Sequence, residues 1–201
     1  MKKIKLSFLI VALLAVTTAV NAQMSYGVKA GLNLSNMYGK GIHDDNAKPG
    51  FHVGLTADYD FSYNVGLQTG LEFNTKGYKV KGGGLEYTQN SMYLQLPVHL
   101  AYKVDVTPGT TVALHAGPYL AYGVGGEVSL KAGDWEGSSK KVFGDGASQL
   151  KRFDFGLGIG VDFVLTQFVV GLGWDMGLTD LSNVGSARKN QNAYLSLGYK
   201  F

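Results

Sequence analysis

The chain has 201 residues, with 29 glycines, 4 prolines, no cysteine, 12% aromatics, 16% charged residues and a formal net charge of +3. Glycine at about twice its usual share and a low charge content exclude a disordered polyelectrolyte, and the scarcity of proline with no three-residue glycine period excludes collagen. The missing cysteine removes disulfide scaffolds, thiolate metal sites, cysteine nucleophiles and a lipidated N-terminal cysteine, and the length suits one domain.

The chain opens with Lys2, Lys3 and Lys5, an apolar run from Leu6 to Val16, and the small-residue close Val20-Asn21-Ala22. A basic start, a short apolar core and small residues at positions −3 and −1 form a secretory signal peptide, and the run falls short of the ~20 residues of a spanning helix. Residues 1–22 are therefore read as a cleaved leader and 23–201 as the single mature domain. Cleavage removes three lysines and no acid, so 18 basic residues become 15 against 15 acidic ones. A neutral mature chain offers no basic face for nucleic acid. No later stretch is long and apolar enough for a membrane helix.

Strict alternation recurs eight times in the mature chain. The apolar sets are Tyr26 to Leu34, Phe51 to Tyr59, Val65 to Phe73 with an extension past Lys76, Met92 to Tyr102, Val112 to Tyr122, Phe153 to Phe163, Phe168 to Leu178 and Ala193 to Phe201, each at every second position. A period of two makes each a strand with one apolar face, and about ten residues suffice to cross a bilayer at a tilt. The apolar faces carry no Asp, Glu, Lys, Arg, His, Asn or Gln, whereas the opposite faces are dominated by glycine. A polar set that small in volume fits the inside of a closed eight-stranded barrel, with lipid outside and no backbone edge left in hydrocarbon. The reading is an all-β, eight-stranded, antiparallel up-and-down transmembrane β-barrel. A soluble lipocalin-like barrel, with the apolar face turned inward, is the alternative.

Aromatics sort to the two ends of these strands, with aliphatics between, as the two girdles of a membrane barrel require. Short connections at 60–64, 104–111 and 164–167 alternate with longer ones at 35–50, 79–91, 125–151 and 179–191. Short periplasmic turns and long extracellular loops place both termini in the periplasm. Gly82-Gly83-Gly84 marks the tip of a hairpin extending past the membrane. Pro97 and Pro118, which each remove a ladder donor, are expected to sit at bulges.

Gly27-Val-Lys-Ala-Gly-Leu-Asn-Leu-Ser35, Tyr93-Leu-Gln-Leu-Pro-Val98, Ala116-Gly-Pro-Tyr-Leu120 and Leu197-Gly-Tyr-Lys-Phe201, in this order and spacing, resemble the PorT-like, or "outer membrane protein beta-barrel domain", proteins of Bacteroidota. The resemblance covers essentially the whole mature chain. It implies a small barrel of the OmpA-like and OmpX-like kind and no shared catalytic residues.

The inward positions place Lys29, Lys76, Lys103 and Lys200 against Asp58, Glu72, Asp154, Asp162 and Asp175. Enclosed charges must be paired or hydrated, so these nine form an expected lumen charge network. Lys29 and Asp58 are expected at similar depth, as are Lys103 and Asp162. A salt-bridge plug is favoured over an ion path, because side chains just fill an eight-stranded barrel. His52, His99 and His115 also point inward, but from different depths, so no metal site is expected; nor is any cofactor. The outward Leu195, Leu197, Tyr199 and Phe201 form an expected C-terminal signal for the barrel-assembly machinery. In the third long loop, Lys131, Trp135, Lys140 and Lys141 form a candidate recognition site, with Trp135 folding onto the rim as the alternative. His43 beside Asp44 and Asp45 is the one loop histidine, and it is read as solvated rather than catalytic.

These features point to a monomeric protein of a Gram-negative outer membrane, exported through the periplasm. It is a structural or surface-recognition barrel, not an enzyme, whose partners are membrane lipid, the assembly machinery and an extracellular or periplasmic protein. A narrow channel for ions or small solutes is the second reading, and an outer-membrane enzyme a distant third.

Overall fold

A computed structural model describes residues 23–39, 46–133, 135–147, 149–184 and 187–201; the expected leader at 1–22, the His43-Asp44-Asp45 group and Asp134 lie outside them. The strands are β1 (Met24–Tyr38), β2 (Asn46–Asp60), β3 (Val65–Gly82), β4 (Leu85–Thr107), β5 (Thr110–Ala132), β6 (Trp135–Ser139), β7 (Phe153–Leu165), β8 (Phe168–Gly177) and β9 (Lys189–Lys200). Eight of them close an antiparallel ring in the order β4-β3-β2-β1-β9-β8-β7-β5, with β5 pairing back to β4. Closure satisfies every strand's two edges, which hydrocarbon demands. The ninth strand, β6, was not expected. It pairs only with the end of β5, outside the ring.

The wall is inside out relative to a soluble protein. Leu32, Leu55, Ile159 and Leu197 are 58% or more exposed on the outer face, while Asn33, Lys76, Gln95 and Asp154 are 2% or less exposed within. Thus the apolar face meets lipid and the polar face fills the lumen.

Two expectations about the ladder are corrected. The connection after β4 is a two-residue turn, Pro108-Gly109, with Gly109 at φ 80°, rather than the eight-residue segment 104–111. Neither Pro97 nor Pro118 bends the sheet: Pro97 stands opposite Tyr119 and Pro118 opposite Leu157 without a shift of register. Each proline forfeits one donor, and the bonds on either side keep the strands in step. The shifts fall instead between Met92 and Tyr93, between Asp105 and Thr107, and between Ala47 and His52.

Strands β3, β4 and β5 run 18, 23 and 23 residues, well beyond a membrane crossing. Their polarity inverts on the way out. In β4 the outward positions Met92 to Tyr102 are apolar, but Glu86, Thr88 and Asn90 continue the same face outward. In β5 the irregularity opposite Met92 and Tyr93 swaps the faces, so that Val128 and Leu130 turn inward and Ser129 and Lys131 outward. The result is a four-stranded sheet, β3-β4-β5-β6, standing above the membrane with a charged outer face and an apolar inner face. Ion pairs Lys79–Glu86 and Lys131–Glu136, the latter 3.1 Å, lie on the outer face. Val80, Tyr87 and Val128 on the inner face pack towards the barrel mouth. Gly83 and Gly84, at φ 58° and 78°, make the tight turn that joins β3 to β4.

Candidate functional site: a layered lumen under a lid

From the periplasmic end inward, the lumen is built in layers. At the mouth, Lys103 pairs with Asp60 and Lys200 with Asp58. Next, Lys29 pairs with Glu72 at 2.7 Å. His99 Nδ1 and His115 Nδ1 stand 3.0 Å apart with their rings stacked at 5.2 Å, and Asp162 lies 3.7 Å from His115 Nε2 and accepts from Gln68 at 3.2 Å. These groups surround a cavity of ≈70 Å³, room for a few waters. Beyond it, Lys76 donates to Gln95 at 2.7 Å and Gln95 to Asp175 at 2.9 Å. The Lys76 ammonium also lies 4.6 Å from the centre of the Tyr119 ring. Asp154 accepts from Tyr119 at 3.3 Å and from Asn190 at 2.9 Å.

Lys29 and Asp58 do not meet, contrary to the depth argument. The register places Lys29 opposite Gly54, and Gly54 opposite Glu72. With no side chain at Gly54, the lysine reaches across β2 to the next strand. A Cβ there would sit 2.9 Å from the Glu72 side chain. Asp58 is taken by Lys200 from β9, on the other side of β1. Lys103 and Asp162 share a row through Ala113, yet Lys103 turns to Asp60. The histidines also differ from expectation: His99 and His115 converge, while His52 stands apart against Asn33 at 2.7 Å. Among the described residues no group of three or more His, Cys, Asp or Glu forms a metal cluster.

The outer end of the lumen is closed by a lid that the sequence reading missed. Leu150 N–H donates to Val142 O at 2.8 Å, Lys151 N–H to Leu181 O at 2.9 Å, and Leu181 N–H to Arg188 O at 2.8 Å. The Lys151–Leu181 bond, with the Asn183 side chain donating to Gly144 O at 2.8 Å and Gln149 O at 3.0 Å, laces the two longest loops into one layer. Its underside, Val142, Phe143, Leu150 and Leu181, is buried against Met37, Tyr78, Tyr93 and Tyr119. Isolated apolar residues in otherwise polar loops were the available signal.

The four candidate recognition residues separate. Lys131 and Trp135 belong to the projecting sheet, Trp135 opposite Ala132 at its far end and 60% exposed. That is about 20 Å along the strand from the rim near Met92, so Trp135 is no rim anchor. Lys140 and Lys141 lie on the approach to the lid. Leu195, Leu197 and Tyr199 line the lipid face of β9, with Phe201 directly after its end, and the Tyr199 ring lies 5.4 Å from Phe168 and 5.7 Å from Phe201.

Comparison with known proteins agrees with this architecture. Ail, the attachment invasion locus protein of Yersinia pestis, superposes with a TM-score of 0.51 at 16% identity, over 89% of this chain and 99% of that one. Ail in complex with the heparin analogue sucrose octasulfate gives 0.50 at 15% identity, over 89% and 99%. Neisserial surface protein A gives 0.49 at 14%, over 88% and 97%. No match was found among curated proteins. The model of the outer membrane protein beta-barrel domain matches residues 19–183. The chain belongs to that family and is a small β-barrel protein of the outer membrane.

Proposed function

We propose that the protein is a non-conducting surface-recognition barrel that holds its projecting sheet out to a protein partner beyond the membrane. The inverted sheet carries this reading. Leu85 and Trp135, 51% and 60% exposed, continue the inner apolar face of a segment whose outer face is charged and stands in water. An apolar patch clear of lipid marks an interaction site. The buried lid and the lumen charges, each paired with an ion or hydrogen-bonded to a neutral group, favour this over a channel. Export by the leader at 1–22, assembly through Leu195, Leu197, Tyr199 and Phe201, a monomeric state and PorT-like kinship, on the four sequence segments above, complete the proposal.

A photo-reactive amino acid placed at Trp135 in intact cells should give a discrete protein adduct, and Leu130→Asp should remove it. The same probe at Leu100, on the lipid face, should give none. Absence of any adduct at Trp135, or one indifferent to Leu130→Asp, contradicts the reading.

A further inference from the structure

The neutral charge of the mature chain hides a segregation. On the projecting sheet, cations and carboxylates balance, and two ion pairs consume most of them. The laced loops are different. Segments 140–152 and 178–189 carry Lys140, Lys141, Lys151, Arg152, Arg188 and Lys189 against only Asp145 and Asp180.

The lacing brings four of these residues close along the backbone, and the Lys151 ammonium donates to Asp180 O at 3.3 Å. Lys151 is tied to Leu181 and Leu181 to Arg188 by backbone bonds, which brings the Lys151-Arg152 and Arg188-Lys189 pairs together. The Arg152 guanidinium donates to Gly123 O at 2.8 Å and lies 5.6 Å from the centre of the Phe143 ring. Asp180 accepts backbone N–H bonds from Ser182 at 3.0 Å and Arg188 at 2.9 Å, which hold its carboxyl below the usual range. It stays ionised and offsets one cation, leaving the cluster strongly positive.

On this side the wall is short: β7, β8 and β9 have 13, 10 and 12 residues, about one membrane crossing. Arg152 directly precedes Phe153, and Phe153 and Phe155 are outward aromatics at the top of the lipid-facing wall. The cations therefore sit at the level of lipid headgroups, continuous with the surface that contacts the chains.

We propose that the lid edge formed by Lys151, Arg152, Arg188 and Lys189 is a docking site for phosphate groups of outer-leaflet lipid headgroups. The site does not depend on the projecting sheet or its partner.

The test uses the mature protein refolded into phosphatidylcholine nanodiscs doped with bisphosphorylated lipid A or its dephosphorylated form. Lipid retained by the protein is counted by mass spectrometry. The bisphosphorylated lipid should be retained and the dephosphorylated one lost. Lys151→Ser/Lys189→Ser, which touches neither Gly123 nor Phe143, should weaken retention by about twenty-five-fold, since each basic side chain near an anionic surface contributes about a factor of five. Lys79→Ser/Lys131→Ser on the projecting sheet should change nothing, and heat-modifiable gel mobility confirms that each variant is folded. Equal retention of both lipids, or undiminished retention by the folded lid variant, overturns the proposal. Displacement by soluble inositol hexakisphosphate as readily as by lipid A also overturns it, by assigning the patch to a soluble polyanion.

Discussion

Lys76→Met should destabilise the folded barrel by about 3–5 kcal/mol, the cost of leaving the buried carboxylates around it without a balancing charge. Lys76 is 1% exposed, and Asp154 and Asp175 are 0% and 3% exposed. Its ammonium reaches Asp175 through Gln95 and lies over the ring of Tyr119, whose hydroxyl donates to Asp154. Methionine keeps nearly the same volume, so no cavity forms and the loss is electrostatic. Gln95, which bridges Lys76 to Asp175, would keep its donor bond but lose the donor that fills its oxygen. Urea unfolding in lipid vesicles measures the effect. Lys76→Met/Asp175→Asn should recover part of it, because the second change removes one of the stranded charges. A single variant as stable as the parent would show that the carboxylates are already neutral or hydrated.

Gly156→Val should prevent closure of the ring, at a cost of about 3 kcal/mol or more from overpacking against groups that cannot move aside. A Cβ at Gly156 would stand 2.3 Å from Met176 O and 2.5 Å from the Tyr119 ring. The first neighbour is ladder backbone. The second is 1% exposed and bonded to Asp154. Gly82, by contrast, has nothing within 4 Å of a built Cβ, so Gly82→Val should assemble normally. Heat-modifiable mobility of the two variants separates a specific space requirement from a general effect of glycine content. A folded Gly156→Val barrel contradicts it.

The membrane-crossing parts of all eight strands were legible because lipid imposes one rule on every outward side chain, and a period of two exposes it. Beyond the bilayer the rule reverses. Asn90, Thr88 and Glu86 continue the outward face of β4, so a search for outward apolar residues ends at Met92 while the strand runs on to Leu85. In β5 the irregularity near Gly125 also exchanges the faces, and Trp135–Ser139 is too short and too polar to show alternation at all. The lumen pairs were only half legible. Sequence placed Lys29 and Glu72 inside, but depth counted along single strands ignores how the tilted register carries a side chain across Gly54. The same omission separated His99 from His115, which the β4–β5 register sets diagonally, His115 facing Ala101. The lid was illegible because its bonds join segments tens of residues apart, between loops with no period to follow.

The inversion of polarity along one strand is the claim on which both the membrane boundary and the recognition surface rest. It can be measured directly with a nitroxide label moved along β4 in bilayers, comparing collisions with oxygen, which enriches in lipid, and with a nickel chelate, which stays in water. Labels at Leu94, Leu96, Val98 and Leu100 should report lipid, and labels at Glu86 and Thr88, on the same face, should report water. Lipid exposure continuing through Thr88 and Glu86, or water exposure at Leu96 and Val98, would contradict the account.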